Sequence, residues 1–541
     1  MFSTLKGFEN QKQLIGFITN EADDAFSFII VDSKTEKFVT KFVFQAKNAK
    51  LFIGELSTFT SKNLFKAFII DLFEVQMPPP YKHSYEFCEE LRETFRHLQI
   101  PSYFVSEEYY LFSSLLIAAK TEVKLHETIL IILTCKAVIQ SSGSITPGVI
   151  VGEFKFTPSG FKLVQRKTLC SLNHKEKPAI LYQQICGSSN PQKIIVSAGH
   201  AKKVAFHKIF KSKNLTIFNG ETACYRDGFV VETCKWMLDK SYIKYHILPY
   251  CTKGIRIYGY FGSANHIFDI VKINIGDTLP ITKSHTFAKS LPQLHIMFGD
   301  RRRTFGEKKE LPKNCHGYKI TLTMDEENFE DIDIYQFMFK NFDNILLRLD
   351  ALLESKIPFI GFYGNSSVIG IYENSKKYNG YRFMNEWNGP YGIDCYISFD
   401  EKKPKFGVQA MDSVITKNTF VVFDLLKIMS MPSDNIKVDK TWAFKFINDS
   451  ENPILIQFDT FDGTKSAASP AFLMAMFIRQ HLKVIEAKNG EKPTKIALLI
   501  LSKEFCEEEL KRINEGLEES CKLLKIDFCF VEHDSLKVGL D

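Results

Sequence analysis

The 541-residue chain has no apolar run close to the roughly 18 residues that a membrane-spanning helix needs. Its longest runs, Leu111 to Ala119 and Thr128 to Thr134, are far shorter. It also lacks charge of one sign. Sixty-nine Lys and Arg against 63 Asp and Glu leave a net +6, too weak at this size to point to nucleic acid or a membrane surface. The opening MFSTLKGFENQKQLIGF has no apolar core behind a basic start, so no secretory signal is evident. The 12 cysteines are dispersed, with no CxxC and no Cys/His group at zinc spacing. That argues against a disulfide framework and for a reduced compartment, the cytoplasm first and the nucleus second. The 13 histidines are scattered, and no Ser/His/Asp set has a suggestive spacing. One short basic cluster, Arg301 to Arg303 with Lys308 and Lys309, reads first as a solvated hairpin loop, with nucleic-acid contact as its second reading.

What the chain does have is bulk. Hydrophobic residues make up 45% of it, 49 of them phenylalanine, and its length predicts three or four domains. One unit occurs twice. An apolar strand, Ala67 to Asp71, leads through an acidic-capped helix to a short strand, Ser102 to Val105. Near the other end Ile496 to Ile500, a second acidic-capped helix and Asp527 to Val531 repeat that order. The helices follow from spacing: Phe87, Leu91, Phe95 and Leu98 fall on one face, as do Leu510, Ile513, Leu517, Cys521 and Leu524. Glutamates crowd both helix starts, where the helix dipole favours them. Upstream, Phe17 to Asp32 resembles Phe446 to Asp459, so about ninety residues near each end read as duplicated, with nothing repeated between.

Between the copies the texture changes. Residues 13–45 alternate as a meander, with Phe26, Phe28, Ile30 and Phe38, Phe42, Phe44 supplying apolar faces that need a partner. His126 to Ile139 reads as a buried strand pair, and Lys193 to His200 as a strand running into a tight turn and a helix. From Tyr242 short strands recur at steady intervals, which predicts a β-sandwich. The spacing then predicts a helix over Phe337 to Leu353, and Ser355 to Pro358 reads as a linker. The resulting division is 1–125, 126–240, 241–335 for the sandwich, 336–356 for a helical linker, and 357–541.

This order of elements resembles the heat shock protein 70 chaperone family, over nearly the whole chain but in permuted order. Phe359 to Ser367 is similar to the family's opening phosphate hairpin. The run Phe406 to Val414 with Asn418 to Lys427 is similar to its G-x-x-A-K…N-T-V-F-D-x-K-R stretch, the most specific match in the chain. Ser469 to Ile478 resembles a helix start of the first lobe. Ile194 to Val204 resembles the turn that contacts adenosine, and Asn219 to Tyr225 the D-E-A-V-A-Y segment. Asp277 to Phe287 is similar to part of the peptide-binding sandwich, whose helical lid has no evident counterpart. The resemblance implies a multidomain mixed α/β and β protein, with actin-like (ribonuclease-H-like) α/β lobes plus a β-sandwich.

ATP hydrolysis on that fold needs glycine hairpins that admit phosphate, aspartates for a hydrated magnesium ion, and a lysine near the attacking water. The matching positions here hold Phe362, the run Leu133 to Val138 and Leu426, with Lys427 one residue on. The ATPase is therefore expected to be lost, with no catalytic or metal-ligating residues. Residual nucleotide contact falls on Gly364, Asn365, Ser366, Gly199 and His200, the last two of which read first as a plain strand-to-helix turn. A peptide pocket falls on Tyr258, Tyr260, Phe261, Ile267 and Phe268, which read equally as sandwich core. The expectation is a non-catalytic, chaperone-like protein that binds peptides or protein partners and needs no cofactor. The alternative is an ATP-dependent chaperone with a permuted nucleotide-binding domain, using ATP and magnesium. The C-terminal lobe is expected as a separate body tethered through the helix at 337–353.

Overall fold

The computed structural model describes residues 11–60, 63–139, 145–170, 176–211, 214–218, 225–299, 304–340, 342–501 and 505–531, together with Leu5 and Phe8. The protein is a mixed α/β chain built from several sheets, with 11 α-helices among the described residues. The basic run Arg301 to Arg303, most of the match at Asn219 to Tyr225, and residues 140–144 lie outside them.

The alternating phenylalanines of the N-terminal meander form β1 (Leu14–Ala22), β2 (Ala25–Asp32) and β3 (Lys37–Gln45). Helix α1 (Ala49–Thr60), β4 (Phe65–Asp71), α2 (Ser84–His97), β5 (Ser102–Phe104) and α3 (Glu107–Ala118) follow. The sheet order is β3-β2-β1-β4-β5: the meander is antiparallel, and β4 and β5 add parallel to it. The meander therefore opens the sheet that the first repeat copy closes. Register places Phe17 opposite Ile69 and Ile18 opposite Ile70.

The same order occurs again in the next stretch. Here β6 (Thr128–Ile139), β7 (Ile145–Thr157) and β8 (Gly160–Cys170) form the meander. Helix α4 (Pro178–Cys186), β9 (Lys193–Ser197), α5 (His200–Ile209), β10 (Leu215–Phe218) and α6 (Arg226–Leu238) complete it, in the order β8-β7-β6-β9-β10. His126 to Ile139 is thus one strand preceded by a turn, not a strand pair. Its apolar residues run unbroken because the sheet is covered on both faces. Phe112, Leu115 and Leu116 of α3 and Phe229 and Val230 of α6 pack between the two sheets, against Ile15 and Ile69 on one side and Ile129 and Ile131 on the other. Helices α1 and α2 close the outer face of the first sheet, and α4 and α5 that of the second.

The sandwich comes next: β11 (Gly254–Tyr260), β12 (Ile267–Ile273), β13 (Ile281–Ala288), β14 (Gln293–Gly299), β15 (Thr304–Lys309), β16 (Gly317–Met324) and β17 (Glu330–Phe337). They form sheets β12-β11-β14-β15 and β13-β16-β17. The helix expected from Phe337 is shorter. Residues 330–337 pair with β16 as a strand, and α7 spans Asn344–Leu352.

The last unit opens with β18 (Phe359–Tyr363), β19 (Ser366–Asn374) and β20 (Asn379–Phe383). A long insertion holds β21 (Ile393–Asp394), β22 (Ile397–Ser398), β23 (Lys405–Phe406), α8 (Val408–Thr416), β24 (Val421–Val422) and α9 (Leu425–Ser430), then β25 (Lys445–Ile447), β26 (Leu455–Asp459), β27 (Lys465–Ala468) and α10 (Pro470–Asn489). The closing elements are β28 (Lys495–Ile500), α11 (Glu507–Leu524) and β29 (Asp527–Val531), and the sheet order is β20-β19-β18-β28-β29. One strand order thus appears three times, not only at the two ends. The upstream match is also corrected. Residues 446–459 lie in the separate sheet β25-β26-β27, and β18 and β19 hold the places of β1 and β2. The last unit is not a free body either, because the sandwich is docked on it.

A pocket where the sandwich meets the third unit

The strand β18 turns into β19 at Gly364, whose φ of +49° is a conformation that favours glycine. This turn lies at the carboxyl end of β18, where open α/β sheets commonly leave a crevice. Facing it is one end of the sandwich. Between the two is a cavity of about 670 Å³, with Gly364 and Asn365 on one wall and Phe261, Phe268, Phe287 and Leu291 on the other. Phe423, Asp424 and Lys427 form its floor, and residues 431–441 with the start of α11 form its rim.

The two walls are fastened by polar groups that find partners across the junction. Phe261 and Phe423 stack with centroids 5.7 Å apart and planes at 10°. Asn418 Nδ2 donates to the Phe261 carbonyl at 2.8 Å, and the Tyr396 hydroxyl to the Ser290 carbonyl at 2.5 Å. Lys289, buried, donates to the carbonyls of Gly392 (2.7 Å) and Tyr391. Burial pushes its pKa down, and Asp394 offsets only part of that. His316 uses both ring nitrogens: Nε2 donates to the Pro390 carbonyl at 2.8 Å, and Nδ1 accepts from the Phe339 N–H at 2.8 Å. That pattern requires the neutral ring, and burial lowers its pKa to about 4. Gly262, with φ +87°, brings its backbone against α8: a Cβ there would stand 2.6 Å from the Val414 carbonyl oxygen.

Within the pocket most ionic groups are already engaged. Lys427 Nζ donates to Asp439 Oδ2 at 2.6 Å, and Asp424 Oδ2 accepts from the Trp442 indole at 2.9 Å. Burial works against ionisation of Asp439, but bonds from Lys427 and Thr441 outweigh it and hold its carboxyl below the usual range. Glu509 accepts from the Cys506 N–H at 2.9 Å as the capping box of α11. Asn365, 6% exposed, accepts at Oδ1 from the Asp424 N–H at 2.9 Å, and this fixes its amide orientation. Its Nδ2 is buried and has no hydrogen-bond partner.

The expected site residues divide. Gly364 and Asn365 from the nucleotide set and Phe261 and Phe268 from the peptide set meet in this one pocket. Ser366 is buried beside it and donates to Asp394 Oδ1 at 2.6 Å. Gly199 is the N-cap of α5 in the second unit, with an ordinary φ of −62° and open space where a Cβ would stand; His200 opens the same helix. Tyr258 stacks on His295 and Tyr260 lies tilted against it, with centroids 5.4 and 5.3 Å away, on the sandwich face turned from its core. Ile267 pairs with Tyr260 on that edge. Phe362, Leu133 and Leu426 are all core side chains, and the Phe362 ring lies 6.0 Å from the buried His481.

Spacing along the chain could not have found Phe423, Lys289 or His316, whose roles exist only across the junction. Among the described residues no group of three His, Cys, Asp or Glu is placed to hold a metal ion, and no helix is long and apolar enough to cross a membrane. No protein-family model matches the chain, and no curated protein matches it significantly.

Proposed function

We propose that this is a non-catalytic, chaperone-like protein of the heat shock protein 70 kind, which binds a peptide or protein partner without an ATPase cycle. In this reading the three units of order 3-2-1-4-5 are ribonuclease-H-like. The first two, sharing α3 and α6 as an inner layer, stand as a pair of actin-like lobes, and the third is an added first-lobe unit. The observation that carries the loss of catalysis is the fate of Phe362. It sits one residue before the Tyr363–Gly364 turn, where the family places its magnesium-side aspartate, and its ring is fully buried in the core rather than turned to the crevice. The hairpin face that would meet phosphate is walled by Phe261 and Leu291 of the sandwich. Partner binding is then assigned to the junction pocket and its aromatic rim.

A thermal melt with and without ATP and magnesium tests this. A ligand at a hundredfold its Kd stabilises by about 2.7 kcal/mol, which a melt resolves easily. The expected shift is none. A saturable rise in Tm with ATP and magnesium would count against the reading.

A further inference from the structure

We propose that the junction pocket binds a small, uncharged molecule with a planar ring and a carbonyl-type hydrogen-bond acceptor. The inference rests on the pocket being a binding site, as read above, and not on kinship with chaperones. The volume of about 670 Å³ is that of a small-molecule site rather than a packing defect. Its apolar wall is aromatic: Phe261 and Phe423 present a stacked pair, and Phe268 lies 39% exposed beside Phe287. Such rings favour offset stacking or edge contacts with another planar group.

Charge then excludes the anionic choices. The lining carries Lys427 and Lys437 against Asp424, Asp439 and Glu509, and Lys427 is already held by Asp439. A phosphate or carboxylate would meet more negative than positive charge, with Lys427 engaged and the exposed Lys437 as the other cation of the lining. The polar request of the site comes from Asn365. Its Oδ1 is committed to the Asp424 N–H, so Nδ2 is left as a buried donor without an acceptor. An unpaired buried donor is costly, and a neutral acceptor on an occupant satisfies it without adding charge beside Asp424. A ring seated on the phenylalanines with a carbonyl turned to Asn365 meets both demands.

Benzamide is the minimal probe, and saturation-transfer NMR on the full chain reads its binding. An affinity of about 1 mM is expected for a ligand of this size. Asn365→Asp keeps the oxygen that accepts from Asp424 and removes the donor, so it should weaken binding about tenfold. Thr286, exposed on β13 and lining the pocket, offers a variant independent of the hairpin: Thr286→Trp fills the space and should abolish binding. Benzoate should bind more weakly than benzamide by a similar factor, and ATP should not displace benzamide. Absence of benzamide binding, equal binding by Asn365→Asp or Thr286→Trp, or equal binding of benzoate would each overturn the proposal. Displacement by ATP would do so too. A rise in Tm with ATP alone, leaving benzamide binding and its dependence on Asn365 intact, would instead sink the functional reading and spare this one.

Discussion

The first two units and the third share a strand order but close their sheets in different ways. In the first pair each sheet lends its inner face to the other through α3 and α6, so one apolar layer serves both. Helix α3 is apolar nearly all round, which is the pattern of a helix with no solvent side. Among the described residues the third unit has no such partner. Its corresponding face is covered, among the described residues, by α7 with Phe342 and Leu353 at its ends; α7 buries Ile345 and Leu349 against Phe359, Tyr381 and Leu499 and leaves Leu347 73% exposed. The strand ends of that unit are met by the sandwich instead, through apolar contacts that join the two cores, Phe261 stacked on Phe423 among them, and through polar bonds beside them. The comparison teaches where a pocket can persist. A shared apolar layer packs to near-crystalline density, whereas at the junction Lys289, His316, Tyr396 and Asn418 fasten two walls around a crevice that the apolar contacts do not fill.

The comparison breaks hardest in the shared layer. Phe229 is fully buried, with its ring 5.7 Å from Phe17 of the first sheet and 4.8 Å from Tyr110 of α3. Phe229→Ala should cost about 3–5 kcal/mol in urea unfolding and loosen both units together. If only the second unit lost its protection in hydrogen exchange, the layer would not be shared in the energetic sense.

At the junction the largest single effect belongs to Gly262→Ala. The left-handed φ costs a non-glycine residue about 1–2 kcal/mol, and the new Cβ also collides with the Val414 carbonyl. Cleavage near Ser355–Pro358 should give pieces that co-elute in gel filtration for the native chain and separate for this variant. Native pieces that part on cutting would mean that the junction contributes little.

Acid sharpens the same point. His316 has its pKa lowered by burial to about 4, so the folded state binds its proton less readily than the unfolded chain. Its contribution is complete above the unfolded value near 6.5 and is lost as pH falls toward 4. The loss is about 1.4 kcal/mol per pH unit, or roughly 2 kcal/mol by pH 5. His246 in the paired units and His481 in the third, both lowered by burial to about 3, add slopes of the same sign. His316→Gln should therefore flatten the junction's dissociation with acid without changing the slope from the other two. A junction equally acid-labile in that variant would assign the effect elsewhere.

How much of this was legible depended on sequence distance. The strand–helix–strand copies were readable because Phe87, Leu91 and Phe95, and Ile513, Leu517 and Cys521, fix a buried helix face within one element. That β1 pairs with β4, some fifty residues on, was not, because a meander with apolar alternation states that it needs a partner but not which one. For the same reason residues 446–459 passed for a copy of 17–32. The helix expected from Phe337 starts only at Asn344, because Phe337 closes β17 opposite Gly317 while the apolar spacing of Phe342, Ile345, Leu346 and Leu349 does not mark where the helix begins. The site was half legible. Gly364 and Asn365, and Phe261 and Phe268, stood out singly for two different ligands. Nothing local said that they face one another, since that follows from docking surfaces a hundred residues apart.

The smallest effect is the one that separates a cover from an interface. Leu347 on α7 is 73% exposed, whereas Leu349 on the same helix is fully buried. If α7 is only the cover of a lone unit, Leu347→Ala removes little area from water and changes stability by about 0.5 kcal/mol or less. Leu349→Ala opens a cavity against Phe359 and costs about 2–5 kcal/mol. Urea unfolding of the two variants measures the difference directly. If Leu347→Ala instead destabilised the chain by more than about 1 kcal/mol, in a manner that grew with protein concentration, the exposed face of α7 would be packed against another chain in solution. The third unit would then have found, between molecules, the partner that the first two find in each other.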